Sequence, residues 1–310
     1  MEHQVAFVFP GQGSQAAGMG KDLAERFTEA RRTFEQIDDA LGYSISRLCF
    51  EGPEEELKLT QNTQPAILAV SSAIMAVLGA SSQKRPDLVA GHSLGEYSAI
   101  VAAGGLTAPV AARIVHMRGR FMQDAVPVGH GAMAAIIGPS IDEVASICEE
   151  AAQGDVVSPA NVNAPGQIVI AGSKAAVDRA IEVAKSRGIR KTILLPVSAP
   201  FHCALMKPAE EKLKPLLDDA PFHDLGIAVV SNVDASPIGT AHAVRNALVR
   251  QVVSPVRWVE SVERMISMGV RRFVEIGPGN VLTGLIRRIN KEVEVVNVNS
   301  AETLEAFLAS

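Results

Sequence analysis

Short apolar runs alternate along this chain with longer runs of helical spacing, and that alternation narrows the available folds more than any other feature. Val5–Phe9, Pro86–Ala90, Ile227–Ser231, Arg272–Ile276 and Val293–Val298 read as strands. Between and beyond them, Leu23–Ala40, Thr63–Leu78, Ser93–Ala103, Val110–Gln123, Ala204–Leu217, Ala241–Gln251, Val256–Met268 and a run ending near Ile289 read as helices, with a short helix at the end. Strands separated by helices predict a parallel sheet covered on both faces.

The order changes once. From about Val126 to Val197 it runs strand Gly131–Ile137, helix Ile141–Ala152, strand Val156–Val162, a turn at Asn163-Ala164-Pro165-Gly166, strand Gln167–Ala171, helix Lys174–Arg187, strand Arg190–Val197. This is the β-α-β-β-α-β, ferredoxin-like order. The expected organisation is a large α/β domain of residues 1–125 and 199–310, interrupted by a small inserted subdomain of residues 126–198. The cleft between the two is the expected ligand site.

Composition removes several function classes. A chain of 310 residues, 47% hydrophobic and 20% charged, is long enough for such a two-part globular protein. A net charge of −5 argues against general attraction to nucleic acid, so an acidic partner needs a local basic patch. Cys49, Cys148 and Cys203 are scattered and form no C-x-x-C pair, which fits thiols in a reducing cytoplasm and neither a disulfide framework nor a metal site. Met1-Glu2-His3-Gln4 lacks the basic start of a signal peptide, and no uninterrupted apolar run reaches the roughly 18 residues of a membrane span. The expected location is cytoplasmic, with no membrane contact.

The chemistry centres on Gly91-His92-Ser93-Leu94-Gly95, a Gly-x-Ser-x-Gly between the strand Pro86–Ala90 and the helix Ser93–Ala103. A strand-to-helix turn this tight needs residues without bulk beside the serine, and it lifts the hydroxyl to the positive end of a helix dipole. A serine hydroxyl is a poor nucleophile until a base lies within hydrogen-bond reach. Of the seven histidines, His202 stands at a Pro-marked junction where the chain re-enters the large domain. By position alone it is either that base or a packing histidine. Arg118, on the helix after the elbow, has the planar fork that grips a carboxylate through two parallel hydrogen bonds, which lysine lacks; its plain alternative is a solvated helix arginine. Gln12 sits on a Gly-flanked loop leaving the first strand, where a backbone amide can turn towards the elbow.

Other motifs read as structure. Gly11-x-Gly13-x-x-Ala16 mimics a dinucleotide fingerprint, but Gly18 and Gly20 interrupt the helix that should follow. Glu275, before Gly277-Pro278-Gly279, reads as a structural acid; His92 reads as a support of the elbow, and Cys203 as a neighbour of His202 that points elsewhere. Arg287-Arg288 and the Lys185, Arg187, Arg190, Lys191 group are solvated faces that offer local positive charge.

Five segments then stand in register with one family: Phe9-Pro10-Gly11-Gln12-Gly13-Ser14-Gln15, Gly91-His92-Ser93-Leu94-Gly95-Glu96-Tyr97, Met117-Arg118-Gly119, Pro200-Phe201-His202 and Glu275-Ile276-Gly277-Pro278-Gly279. Together they resemble malonyl-CoA:acyl carrier protein transacylases, which load malonyl units for bacterial fatty-acid synthesis, over nearly the whole chain. The resemblance implies an α/β-hydrolase-like large domain with a parallel sheet and a ferredoxin-like insertion. It implies Ser93 as acylated nucleophile, His202 as base, the N–H groups of Gln12 and Leu94 as oxyanion hole, and Arg118 as the holder of the malonyl carboxylate. It also implies that a backbone carbonyl near Gln251 orients the histidine, with no triad carboxylate. Phe201 departs from the family members that carry a small residue before the histidine; an aromatic there, as in many malonyl-selecting acyltransferase domains of polyketide synthases, is expected to crowd an α-methyl branch and favour malonyl over methylmalonyl. Malonyl-CoA and acyl carrier protein are the implied partners. The CoA thioester is a substrate, and no resident cofactor is expected. The competing readings are a trans-acting malonyl acyltransferase of a polyketide synthase and a serine thioesterase or hydrolase.

Overall fold

Ala6 and Val8 project from one side of the first strand and Phe7 and Phe9 from the other, and all four are buried. A strand apolar on both sides needs cover on both, and the computed structural model supplies it. The structure describes residues 4–82, 84–197 and 199–310. Met1–His3 and Ser198, on which the reading of the N-terminus and of the insertion's end partly rested, lie outside the described residues.

The described strands, in chain order, are β1 (Gln4–Phe9), β2 (Leu88–Gly91), β3 (Gly131–Ile137), β4 (Val157–Ala164), β5 (Gln167–Ser173), β6 (Lys191–Leu194), β7 (Ala228–Val230), β8 (Pro237–Ile238), β9 (Val270–Ile276) and β10 (Glu294–Val298). The larger sheet has the order β10-β9-β1-β2-β7-β8, parallel except for the edge strand β8. One face carries Ala6, Val8, Leu88, Ala90 and Phe273, packed against Trp258, Val262 and Met265 of helix Trp258–Ser267 and Leu282 and Ile286 of helix Val281–Ile289. The other carries Phe7, Phe9, Val89 and Val274 under helix Thr60–Ser81. That helix has the length and apolarity of a membrane span, yet 78% of its apolar window is buried inside the protein, so its apolar length fills the core.

The smaller sheet, β4-β5-β3-β6, is antiparallel and realises the β-α-β-β-α-β order. Ala132, Ala134 and Ile136 face helices Ile141–Ala152 and Lys174–Ser186, and Met133 and Ala135 on its other side join the main core. The architecture is thus a large α/β-hydrolase-like part with a small ferredoxin-like one.

Several elements differ from their sequence outlines for local reasons. The run Leu23–Ala40 is two helices, Lys21–Arg26 and Thr28–Leu41, because Phe27 is extended (φ −120°). Arg31 Nε donates to the Ala24 carbonyl, one of those freed at the break. The run Ala204–Leu217 opens as a 3-10 turn, Ala204–Met206, and becomes α-helical at Lys207–Asp219, with proline in the first turn. Short helices Ile45–Glu51 and Glu54–Leu57 and the two-residue β8 have too few residues to show a period.

The elbow also differs. Its helix begins at Gly95, because Ser93 itself occupies the left-handed region (φ 53°). The flanking glycines serve close backbone approach: a Cβ on Gly91 would lie 1.9 Å from the Gly95 carbonyl, and one on Gly95 would lie 2.0 Å from Phe9 O. Neither contact can be relieved by a rotamer change. Gly95→Ala should destabilise the fold by at least about 3 kcal/mol. Gly79→Ala, in open space on helix Thr60–Ser81, should stabilise it by about 0.5–1 kcal/mol. Urea midpoints of the two variants should move in opposite directions.

Candidate active site

Ser93 and His202 both have a left-handed backbone, with φ of 53° and 61°, a conformation that costs a non-glycine residue about 1–3 kcal/mol. For Ser93 the surroundings hold it there. Its N–H donates to Asn232 Oδ1 at 2.7 Å, and its carbonyl accepts from Gln251 Nε2 at 2.9 Å. Asn232 is itself fixed by donating from Nδ2 to the Gly91 carbonyl at 2.6 Å.

The Ser93 hydroxyl lies 2.7 Å from His202 Nε2, although the two residues stand 109 positions apart. His202 Nδ1 is 2.9 Å from the Gln251 carbonyl. A carbonyl can only accept, so Nδ1 carries the proton and Nε2 is left to accept from the serine. His202 is 3% exposed. Burial first, and the Arg118 charge second, lower its pKa to about 3, so the imidazole is neutral across the physiological range, with its Nε2 lone pair open to accept the serine proton.

Arg118 is 1% exposed. Its Nη1 donates to Gln64 Oε1 at 2.8 Å; its Nη2 donates to Gln251 Oε1 at 2.9 Å and to Ser93 Oγ at 3.1 Å. Every one of these acceptors is neutral. A buried guanidinium without a carboxylate in contact is a strong anion site, because an incoming carboxylate offsets a desolvation cost already incurred. At 3.1 Å from Ser93 Oγ, the guanidinium is placed to meet an anion carried by a group bonded to that oxygen.

A small hollow of about 120 Å³ opens on these groups. Gln12, Leu94 and Phe201 line it from the large part, and Met133, Asn161, Leu195 and Val197 line it from the segment of the smaller sheet. The site therefore lies in the expected cleft. Among the described residues, neither the Gln12 nor the Leu94 amide has a hydrogen-bond acceptor, so both N–H groups are free for a ligand oxygen. All seven residues singled out in the sequence gather here: Gln12, Ser93, Leu94, Arg118, Phe201 and His202 line the hollow, with Gln251 behind them.

The structural readings also hold. Glu275 accepts from the Leu282 and Thr283 amides and caps helix Val281–Ile289. His92 Nε2 pairs with Asn163 Oδ1 at 2.8 Å and ties the elbow to β4. Cys203 Sγ donates to the Pro200 carbonyl, and burial pushes its thiol up to about 11. Of the basic groups, Lys185 pairs with Glu182 and Arg187 with Glu150, which leaves less free charge on that face than the sequence implied.

Sequence reasoning missed Gln64, Asn232 and Glu96. The first two carry no motif. Glu96 follows the elbow, but nothing in the sequence shows that its side chain turns inward. It is fully buried, its Oε2 accepts from Gln251 Nε2 at 2.6 Å, and burial raises its pKa to about 7.

Comparison with known proteins identifies the family. Residues 6–305 match the family model described as acyl transferase domain. The chain is 50% identical over 305 residues to the malonyl CoA-acyl carrier protein transacylase of Escherichia coli K12, covering 98% of this chain and 99% of that protein. It is 46% identical over 303 residues to the Bacillus subtilis protein of the same name, covering 97% and 95%. Among solved structures it is similar to an acyl carrier protein S-malonyltransferase from Vibrio cholerae (TM-score 0.96, 49% identity, 98% and 99% coverage). It is equally similar to a malonyl-transacylase solved in complex with its type II polyketide acyl-carrier protein (TM-score 0.96, 49% identity, 99% coverage of both chains).

The His202 environment has a consequence for stability. The unfolded imidazole takes a proton near pH 6.5 while the folded one resists until about 3, so this contribution is complete above 6.5 and is lost as pH falls. Glu96 acts in the opposite sense, since its folded pKa near 7 favours proton uptake by the folded state. Comparing wild type with His202→Gln isolates the histidine. Between pH 7.5 and 5.0, wild type should lose on the order of 2 kcal/mol relative to the variant in urea titrations. A gap that stays constant over that range refutes the buried neutral imidazole.

Proposed function

Because the chain belongs to the acyl transferase domain family, and within it to the malonyl CoA-acyl carrier protein transacylases, we propose that its reaction passes through a malonyl ester on Ser93. The protein transfers malonyl from malonyl-CoA to the phosphopantetheine thiol of acyl carrier protein, the loading step of fatty-acid synthesis. The observation that carries the mechanism is the Ser93 hydroxyl set between an imidazole at 2.7 Å and a guanidinium at 3.1 Å.

In the first half-reaction the malonyl carboxylate takes the guanidinium of Arg118. His202 Nε2 accepts the Ser93 proton as Oγ forms its bond to the thioester carbonyl carbon. The carbonyl oxygen becomes an oxyanion held by the Gln12 and Leu94 amides, donors typically worth about 10²–10³ in rate each. The carbon–sulfur bond breaks, and the CoA sulfur leaves with the proton from His202. In the second half the carrier thiol gives its proton to His202, attacks the malonyl ester, and Ser93 recovers the proton as it leaves. The chemistry asks for no resident cofactor or metal, because the thioester itself is the activated substrate.

The remaining expectations fit this reading. Phe201 is 9% exposed and lines the hollow beside His202, and the bulk of an aromatic there supports malonyl over methylmalonyl. Residues 1–125 and 199–310 serve as the catalytic domain, and 126–198 as the inserted wall of the cleft. Acyl-CoA chemistry and three buried free thiols suit a cytoplasmic setting. A second reading, service to a polyketide assembly line, is supported by the likeness to the polyketide malonyl-transacylase and predicts a different preferred carrier.

Ser93→Ala should abolish the malonyl adduct in intact-protein mass spectra, and an adduct that persists defeats the proposal. Arg118→Ala should lower the preference for malonyl- over acetyl-CoA by about 10²–10³, the effect of removing one member of a buried charge pair. Unchanged selectivity would remove Arg118 from substrate binding.

A further inference from the structure

Ser93 is bracketed by two carboxamides, and both amides lead to one carboxylate. Gln251 Nε2 reaches Glu96 Oε2 at 2.6 Å as well as the Ser93 carbonyl, and the Asn232 N–H approaches the same Oε2 at 3.3 Å. The Gln251 amide oxygen is taken by Arg118. The Gln251 backbone carbonyl accepts from His202. Glu96 lies outside the hollow and does not reach the reacting atoms, so whatever it does passes through its neighbours.

We infer that Glu96 is a positioning residue for malonyl transfer, whose Oε2 fixes the orientation of the Gln251 amide and thereby sets Arg118 and the Ser93 backbone. Oε2 receives two N–H groups and so acts as an acceptor, whether Glu96 is ionised or carries its proton on Oε1, and it draws the NH₂ end of Gln251 towards itself and the Ser93 carbonyl. The amide oxygen is then turned to the guanidinium. A flipped amide would set oxygen against oxygen at Glu96 and Ser93, and NH₂ against the cation at Arg118. Three contacts change sign together, so the orientation of one amide decides whether the nucleophile and the anion holder are in place. The second arm works alike: the Asn232 backbone is tied to Oε2, and its side chain holds the Ser93 N–H.

Reach, and not charge, is the property required. Among the described residues, Glu96 Oε1 is buried without a hydrogen-bond partner, so one carboxylate oxygen carries the function. Glu96→Gln keeps an acceptor oxygen at the Oε2 position and removes the charge. Glu96→Asp keeps the charge and withdraws it by one bond, about 1.5 Å. A pure counter-ion to Arg118 would rank the variants the other way, with Asp above Gln.

The inference rests on the malonyl-transfer reading, so wild-type enzyme is first shown to form its malonyl adduct on Ser93 in the same assay. Failure there defeats that reading; failure only among the Glu96 variants defeats this one. Pre-steady-state acylation is then followed with malonyl-CoA and acetyl-CoA, with urea midpoints confirming folded protein. Glu96→Asp should slow malonyl-serine formation about 10²-fold, the effect of misplacing reacting groups by about an ångström. Its malonyl-over-acetyl preference should fall about tenfold, and Glu96→Gln should rescue the preference relative to Asp. Equal losses with both substrates, or Asp outperforming Gln, overturn the assignment. If Glu96→Asp does not fold, Glu96→Gln alone decides: a tenfold loss of preference in that variant also overturns it.

Discussion

The left-handed backbone of Ser93 is the constraint on which the site is built. At φ 53° the hydroxyl stands clear of both β2 and the helix that follows, and 2.7 Å from His202 Nε2. Nothing in a serine favours that conformation, so the surroundings must impose it. They do so through the Asn232 and Gln251 side chains on the two peptide groups and through the approach of bare backbone at Gly91 and Gly95. Because Gly95 sits against the Phe9 carbonyl, the elbow also depends on the pairing of β1 with β2. Gln12 leaves the end of that same β1, so the proposed nucleophile and oxyanion donor share one sheet edge, where parallel strands deliver their following loops.

Arg118 sets the second constraint. A guanidinium 1% exposed and, among the described residues, hydrogen-bonded only to neutral oxygens raises the energy of the unliganded protein. Two unit charges at 4 Å interact by about 4 kcal/mol near a protein surface, so a substrate carboxylate recovers much of what burial removed. An acetyl group recovers none of it. On the proposed role of Arg118, selectivity comes from the state of the empty site as much as from contacts to the substrate.

Much of this was legible in the sequence, and the boundary is physical. The alternation of apolar and amphipathic runs predicted both sheets, because burial on two faces leaves a periodic mark; β3 and helix Ile141–Ala152 fall at their expected residues. The elbow was readable for the same reason, as a local pattern with a local cause, whereas position alone left His202 open to packing and Arg118 open to solvent, and their roles were reached through family resemblance. The break at Phe27 left no such mark, and neither did the left-handed Ser93 at what looked like a helix start. Gln251 was reached only through family resemblance, and for its backbone carbonyl; its side chain, which meets Arg118, Ser93 and Glu96, was not foreseen. Gln64, Asn232 and Glu96 went unread because their roles are contacts across 54 to 155 positions of chain. A polar residue that caps a distant loop looks, in sequence, like any other polar residue.

The use of a carbonyl behind His202, where a serine hydrolase has a carboxylate, follows from the neighbouring guanidinium. Gln251 approaches His202 with its backbone and Arg118 with its side chain. A carboxylate behind the imidazole would orient it equally well, but it would stand next to a buried cation that no carboxylate among the described residues contacts directly. It would pair with Arg118 and offset in the free enzyme the charge that the substrate carboxylate needs to find uncompensated. The carbonyl fixes the Nδ1–H tautomer without adding negative charge. The nearest buried carboxylate, Glu96, is kept one amide away, hydrogen-bonded to the Gln251 NH₂ whose oxygen faces Arg118. An enzyme that must hold an anion beside its nucleophile is thereby led to a serine–histidine pair steadied by neutral groups, and the weaker support for the imidazole is the consequence of keeping the anion site open.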